Sequence, residues 1–474
     1  MICTRQVHFN NAGASPSPKH VIDTTIEHMR LESEVGAYRA AELACDKVER
    51  VYKSVAQLIG AGNNIGGFEY NARNEIALTE SATVSWTRVF YSMLERKERE
   101  LMPRQDKQEM IILVSEAEYA ANVVAAVKFA RDHTKLTGVK WRVVGIPSSF
   151  ITNGSTRIST GIVDLESLRS ILDGKVDDIN PASIAMICIT HVPTNCHIVN
   201  PISEIGKMIH DFNKKEEPNN GSLPRIFYLV DACQSVGQLV IDVKHIQCHA
   251  LAATGRKYLR GPRGTGFLYV QKEIANALQP SHVDHAAAPV VRVMAQPSNK
   301  GVCVGLEEES ERGLLHSYQP GAARFEFWEA NIAARLGLGA AIDVSLAIGV
   351  DKIEKLCSTY GQMVRNRLVE IDRVNVYRCN HHEHTMCGIV TFWCDGIEAL
   401  TVKERLQNDD RGDGCCFHLS VVPATSTPLD SSRTGLGMKQ LLRASLSYFN
   451  TEAEIFLFCK ALQSILHSIA QQED

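Results

Sequence analysis

The sequence predicts an α/β protein, with a large domain built on a mostly parallel sheet and a smaller α+β domain after it. Three observations predict this. Between Glu75 and Val270, short apolar runs rich in β-branched residues alternate with segments of helical periodicity, the pattern of a parallel sheet with crossover helices. After Val270 the texture shifts, and beyond Lys352 shorter strand-like runs sit close together, as in a small, largely antiparallel sheet. At 474 residues the chain also exceeds what one hydrophobic core usually organises.

In chain order, VHFNNAGASPSP is a short apolar run followed by turn formers, and reads as an extended arm over residues 1–22. A large domain spans 23–290, a connecting segment with an interdomain helix 291–345, and the small domain 346–474. Lys19 to Ile59 carries apolar residues at helical spacing and predicts one or two amphipathic helices. GAGNNIGG, Gly60 to Gly67, has phosphate-loop glycines without the GK[ST] that would follow, and is taken as a flexible loop.

A strand at Glu75–Leu78 runs into Ser81, Ala82 and Thr83, which open a helix. Such residues serve a phosphate through backbone N–H groups and the helix dipole, or simply cap the helix; taken alone, the cap is the commoner use. Strand Met110–Val114 ends in a loop holding Tyr119, either a packed aromatic or a plate for a planar ring. The strands WRVVGIP and SIAMICITHVP flank the helix VDLESLRSILD, and THVPTNCHIVNP follows with His191, a ligand or acid candidate or a structural histidine.

Arg225 to Val270 concentrates the chemistry. Asp231 ends the run IFYLV, Lys257 follows a second run, and a glycine turn leads into a third. Polar residues at such strand ends lie where open α/β sheets bind ligands. Further on, the acidic run GLEEESERG reads as a solvated loop, HHEH at 381–384 as a hairpin tip rather than a metal site, and RGD at 411–413 carries no weight. RVNVYR, GIVTFWC, HLSVV and QLLRASLS supply the small sheet, with a helix from Thr451.

Composition narrows the function classes. The 50 basic and 54 acidic residues leave a net charge of -4 with no basic stripe, so nucleic acid is not an expected partner. No uninterrupted apolar run approaches the roughly 20 residues of a membrane span, and the first residues lack the apolar stretch of a signal peptide. A soluble, cytoplasmic protein is expected. Fourteen scattered cysteines without a CxxC pair suggest free thiols, no disulfide framework and no zinc site.

A lysine past one strand, a carboxylate ending its neighbour, hydroxyls at a helix start and an aromatic plate are what pyridoxal phosphate requires. Lys257 would form the Schiff base, and Asp231 would pair with the pyridine nitrogen. Gln234 would reach the phenolic oxygen, while Thr254 and Arg256 would hold the phosphate. Each has a plain alternative, Asp231 as a cap and Lys257 as a surface lysine, but these must all hold together.

At these same residues the chain resembles the class V aminotransferase and cysteine desulfurase-like group of fold type I pyridoxal phosphate enzymes. The likeness runs through NNAGASP, ESAT, SEAEYAANV, THVPTN, VDACQSVGQ, TGRKYLRGPRGTGF, ARFEFWEANIAARLGL and LLRASLSYFNTEAEI. It is nearest to the isopenicillin N epimerase-like or selenocysteine and sulfoxide lyase-like branch. The resemblance implies a seven-stranded-type sheet, Lys257 as the cofactor lysine, Asp231 and Gln234 on the ring, and Ala82, Thr83, Thr254 and Arg256 at the phosphate. It puts Tyr119 where many members stack a histidine, and Arg443 on the substrate carboxylate, with Asn11, Gly13 and Thr194 nearby. It further implies a homodimer acting on a small amino acid, with RFEFWE reaching the partner's cofactor.

Departures bear on the reaction. HLSVVPATSTPLDSSRTGLGMKQ lacks the mobile cysteine of true desulfurases; Cys415 and Cys416 precede it. Cys196 and His197 read as packing residues. The expected reaction is a C–S lyase β-elimination, with transamination or epimerisation as the runner-up and a non-catalytic interaction module as the third reading.

Overall fold

The computed structural model describes residues 5–62, 70–101, 109–153, 156–216, 223–293, 314–377, 386–408, 414–431 and 439–473. Most of the 60–67 glycine loop, the acidic run before residue 314, HHEH and RGD lie outside them.

Seven strands form the large sheet in the order Ile76–Thr79, Gly266–Val270, Ala250–Thr254, Phe227–Asp231, Ile184–Thr190, Glu109–Ser115, Lys140–Ile146. All neighbours pair in parallel except Gly266–Val270, which runs antiparallel to both its neighbours. Both faces are covered, which is why these strands read as unbroken apolar runs. Tyr228 and Val230 pack into the core on one side, and Phe227 and Leu229 into the core on the other.

The parallel register sets the strand ends side by side. Thr190 pairs with Asp231, and Asp231 with Ala252. Gly266 sits between Thr254 and Thr79. A Cβ there would lie 2.7 Å from the Ser81 carbonyl carbon and from the Ala253 oxygen, so only glycine lets the turn before the helix Ala82–Leu101 close onto the sheet.

The residues of the RFEFWE segment are mostly structural within their own chain. Glu326 accepts hydrogen bonds from the Tyr52 hydroxyl at 2.7 and 2.9 Å and from the Leu78 amide at 2.8 Å, and pairs with Arg335 at 3.1 Å. It ties the edge strand to the helices Cys45–Leu58 and Ile332–Ile348. Arg324 donates to the carbonyls of Gln319, Asn276 and Leu278. Trp328 and Glu329 alone of this segment stay on the surface.

The smaller sheet is antiparallel throughout, in the order Val374–Val376, Ile389–Cys394, Gln440–Ser445, Ser420–Pro423. The helix Glu452–Glu473 is long and apolar enough by composition to cross a membrane, yet Ile455, Phe458, Leu462 and Ile465 pack into the small core. The N-terminal arm is part of that core: Arg5–His8 pairs in parallel with Cys415–His418, and Val7 and Phe9 are buried beside Phe458. Residues 19–58 form three helices rather than one or two, because Gly36, at φ 85°, breaks the first and Ala44 separates the next two. A two-stranded pair, Ser148–Asn153 with Thr156–Val163, is also present.

Candidate active site

One cleft of about 480 Å³ opens at the carboxyl edge of the large sheet, lined by Ser81, Ala82, Thr83, Tyr119, Thr190, Val192, Thr194, Asp231, Cys233, Gln234, Thr254, Arg256 and Lys257. Ten residues singled out in the sequence therefore meet in one place: Ser81, Ala82, Thr83, Tyr119, Thr194, Asp231, Gln234, Thr254, Arg256 and Lys257. They come from five strand ends that the sheet order brings together.

Lys257 lies three residues beyond the strand Ala250–Thr254 and is 8 % exposed. Burial lowers its pKa, the cations Arg256 and Arg443 add to that, and Cys233 and Asp231 oppose it. The amine is thus biased toward its neutral, nucleophilic form. Asp231 is also buried; its Oδ1 accepts from the Cys233 amide and its Oδ2 from Asn122 Nδ2, both at 2.9 Å. Asp231 is the sole carboxylate among the described lining residues, and the Arg256 guanidinium and the helix N-terminus at Ala82 face it across the cleft, so the cleft suits an anionic ligand.

The helix Ala82–Leu101 points its N-terminus into the cleft. Ser81 Oγ takes the Val84 amide at 3.2 Å and the Ser81 carbonyl takes that of Ser85 at 3.0 Å. The amides of Ala82 and Thr83 precede the first intrahelical bond, which leaves them available to a phosphate. The two readings of this stretch coexist: Ser81 caps, and the next two amides face the cleft. Arg256 donates to the Gly13 carbonyl.

Tyr119 is 38 % exposed, its ring on the cleft wall and its amide donating to Thr190 Oγ1 at 3.3 Å. Gln234 spends its Nε2 on Thr194 Oγ1 at 2.6 Å and the Ala12 carbonyl at 3.1 Å, while its buried Oε1 has no partner. Arg443 reaches the same group from the small sheet. It donates to the Thr194 carbonyl at 2.9 Å, Thr194 Oγ1 at 3.2 Å and Ser420 Oγ at 3.1 Å. Its Nε is buried without a partner, and no carboxylate pairs with it among the described residues. Burial, followed by the nearby Arg256, brings its pKa down to about 10, so the guanidinium stays charged at neutral pH.

Asn11 and Gly13 stand behind the cleft rather than in its lining. Asn11 Nδ2 donates to the Ser445 carbonyl at 2.7 Å and its Oδ1 accepts from Ser15 at 2.8 Å, so its polar atoms are committed to bracing the loop. Gly13 contributes the carbonyl that holds Arg256. His191 is buried away from the lining, and burial drives its pKa down to about 3, which keeps it a neutral structural histidine. Cys196 packs with Ala117, Ile162 and Ile198. Cys415 and Cys416 are buried in the strand beside the N-terminal arm.

The residues present fit pyridoxal phosphate. The unpartnered Gln234 Oε1, the two free helix amides, the glycine at 266 that holds the helix start against the sheet, and the cationic balance all match a ring bearing a phosphate. The profile of the Aminotransferase class-V family matches residues 7–458. The chain belongs to that family. Membership places it among pyridoxal phosphate-dependent enzymes. This class-V member is similar to a probable cysteine desulfurase of Pyrococcus abyssi, at 27 % identity over 470 residues, covering 98 % of this chain and 96 % of the relative. A probable cysteine desulfurase of Methanothermobacter thermautotrophicus is 25 % identical over 466 residues, covering 97 % and 94 %. The fold matches the apo structure of a cysteine desulfurase from Thermococcus onnurineus NA1 with a TM-score of 0.73 at 20 % identity, covering 98 % of this chain and 95 % of that one.

Sequence reading missed several lining residues, Thr190, Val192 and Cys233, and the pair Glu118 and Asn122 behind Asp231. For the last two a signal existed. Two polar side chains four residues apart, at the start of a helix following a buried strand, face one way.

Proposed function

We propose that this class-V protein is a pyridoxal phosphate-dependent C–S lyase acting on a small sulfur-bearing α-amino acid. The observation that carries the reading is the meeting of Lys257, Asp231, the helix amides and Arg256 around one cleft, with Arg443 unpaired by carboxylate at its back. When bound, the cofactor supplies an electron sink for the pair left at the substrate α-carbon. The residues of the chain do the rest. Asp231 would hold the ring nitrogen, while Ala82, Thr83, Thr254 and Arg256 would hold the phosphate. Arg443 grips the substrate carboxylate through its fork. Lys257, biased toward the neutral amine, takes the α-proton, and loss of a β-sulfur substituent completes the elimination.

The absence of any cysteine from Phe417 to Gln440, and the burial of Cys415 and Cys416, favour elimination over a route through a protein-bound persulfide. Transamination or epimerisation is the second reading, favoured by Tyr119 standing where an imidazole acid is otherwise expected. The proposal includes a homodimer, in which Trp328, exposed in the single chain, would reach toward the partner's cofactor.

Incubating the purified protein with cofactor and cysteine or its sulfoxide tests the reading. Pyruvate and ammonia in equal amounts support it. Stoichiometric amino transfer, or α-deuterium exchange without consumption, supports the second reading. A protein that stays colourless with added pyridoxal phosphate excludes both.

A further inference from the structure

Behind Asp231 lies a second carboxylate that none of the chemistry above uses. Glu118 is 0 % exposed and follows the strand Glu109–Ser115. Its Oε2 accepts from Ser115 Oγ at 2.7 Å and the Thr190 amide at 2.9 Å. Its Oε1 accepts from the Thr190 hydroxyl and from Asn122 Nδ2, the latter at 2.9 Å. The same Asn122 nitrogen donates to Asp231 Oδ2 at 2.9 Å. One amide group thus divides its two protons between two buried carboxylates. Burying a carboxylate is costly, and four donors offset that cost only in one geometry. Strand pairing alone does not need it, because Thr190 and Ser115 already lie in the sheet.

We propose that Glu118 is a positioning residue for Asp231. Through Asn122 it fixes the carboxylate that faces the cofactor's ring nitrogen and keeps it a strong proton acceptor. The proposal rests on the cofactor reading above. The orientation follows from geometry. With Oδ2 held by Asn122 and Oδ1 by the Cys233 amide, the Asp231 side chain has one rotamer, and its remaining lone pairs face the cleft. The charge follows from proximity. A second carboxylate one amide away disfavours electron withdrawal from Asp231 and favours a proton shared with the ring nitrogen. Burial raises the proton affinity of Glu118, and the nearby Asp231 adds to it. The hydrogen bonds from Thr190, Asn122 and Ser115 oppose this.

The test uses cofactor labelled with nitrogen-15 in the pyridine ring, bound to the full-length protein. The nitrogen chemical shift reports ring protonation directly, and cofactor affinity is measured by dialysis. In the wild type the ring nitrogen should read as protonated across neutral pH. In Glu118→Gln the ring nitrogen should lose its proton already at about ten-fold higher proton concentration, with the signal at neutral pH moving toward the unprotonated value and cofactor binding weakened several-fold. Asn122→Leu, which leaves Glu118 in place but cuts the link, should move the signal the same way, and the double variant should add little to either change. A Glu118→Gln protein that melts earlier but keeps the wild-type signal overturns the proposal, since a structural brace would behave so. If Glu118→Gln does not fold, an unmoved signal in Asn122→Leu overturns it equally. A wild type that binds no cofactor overturns the cofactor reading and this proposal with it, whereas a bound, protonated wild type with indistinguishable variants overturns the proposal alone.

Discussion

Two buried carboxylates at the large sheet have opposite fates. Glu326 has its donors supplied by the Tyr52 hydroxyl, the Leu78 amide and Arg335, and it does not line the active-site cleft. Asp231 is equally buried but holds only the Asn122 and Cys233 donors, with a cleft in front. Burial therefore does not mark function; incomplete satisfaction beside a cavity does. The arginines repeat the contrast. Arg324 spends its guanidinium on the carbonyls of Gln319, Asn276 and Leu278, whereas Arg443 keeps its Nε unpartnered at the back of the cleft.

The contrast can be broken or sharpened experimentally. The largest effect belongs to Lys257→Ala, which should abolish the visible band of the cofactor-loaded protein and lower turnover by about 10²–10⁴-fold from lost proton transfer alone. A band that survives would remove Lys257 from its role. Glu326→Gln should lower stability by about 3–5 kcal/mol, because Arg335 is left without its partner, yet leave turnover per folded molecule near wild type. Asp231→Asn should do the reverse, with denaturation midpoints close to wild type and kcat reduced by about 10²–10³-fold. Equal behaviour of these two variants would erase the distinction between the carboxylates. Arg443→Met should raise KM for the amino acid by about 10–100-fold, as expected for the loss of one charge-assisted pair of about 1.5–3 kcal/mol, with the visible band unchanged. The smallest effect concerns pH. Burial and the cations Arg256 and Arg443 lower the Lys257 pKa. Removing the Arg443 charge therefore raises it, and in the cofactor-free protein the pH midpoint for acylation of Lys257 should move upward in Arg443→Met. A midpoint that falls would contradict this.

Much of the site was legible because strand ends announce themselves. Asp231, Lys257 and the Ser81–Thr83 turn each close an apolar run, and parallel strands bring such ends together whatever their separation in sequence. Pairings across hundreds of residues were not legible. Nothing local in VHFNN names Cys415–His418 as its partner, so the arm reads as extended chain with no hint of where it docks. The assignment of Asn11 and Gly13 to substrate rested on resemblance, and the Asn11 side chain is taken by Ser445, a residue 434 positions away. The Ser148–Val163 pair was passed over because its threonines, serines and glycines read as loop. The division of Asn122 between two acids depends on side-chain geometry that spacing alone does not give.

The bracing of Asn11 carries one last consequence, for the order in which the molecule is assembled. Gln234 and Arg256 hold the carbonyls of Ala12 and Gly13, and that loop is held in turn by Ser445 through the amides of Asn11 and Ala12. All seven strands of the large sheet precede residue 271, so the sheet can form on a nascent chain well before synthesis ends. The loop cannot be clasped until the strand Gln440–Ser445 has emerged. Competence to retain cofactor should therefore arise abruptly and late, as residues 11–13 meet Ser445, instead of growing in step with the sheet.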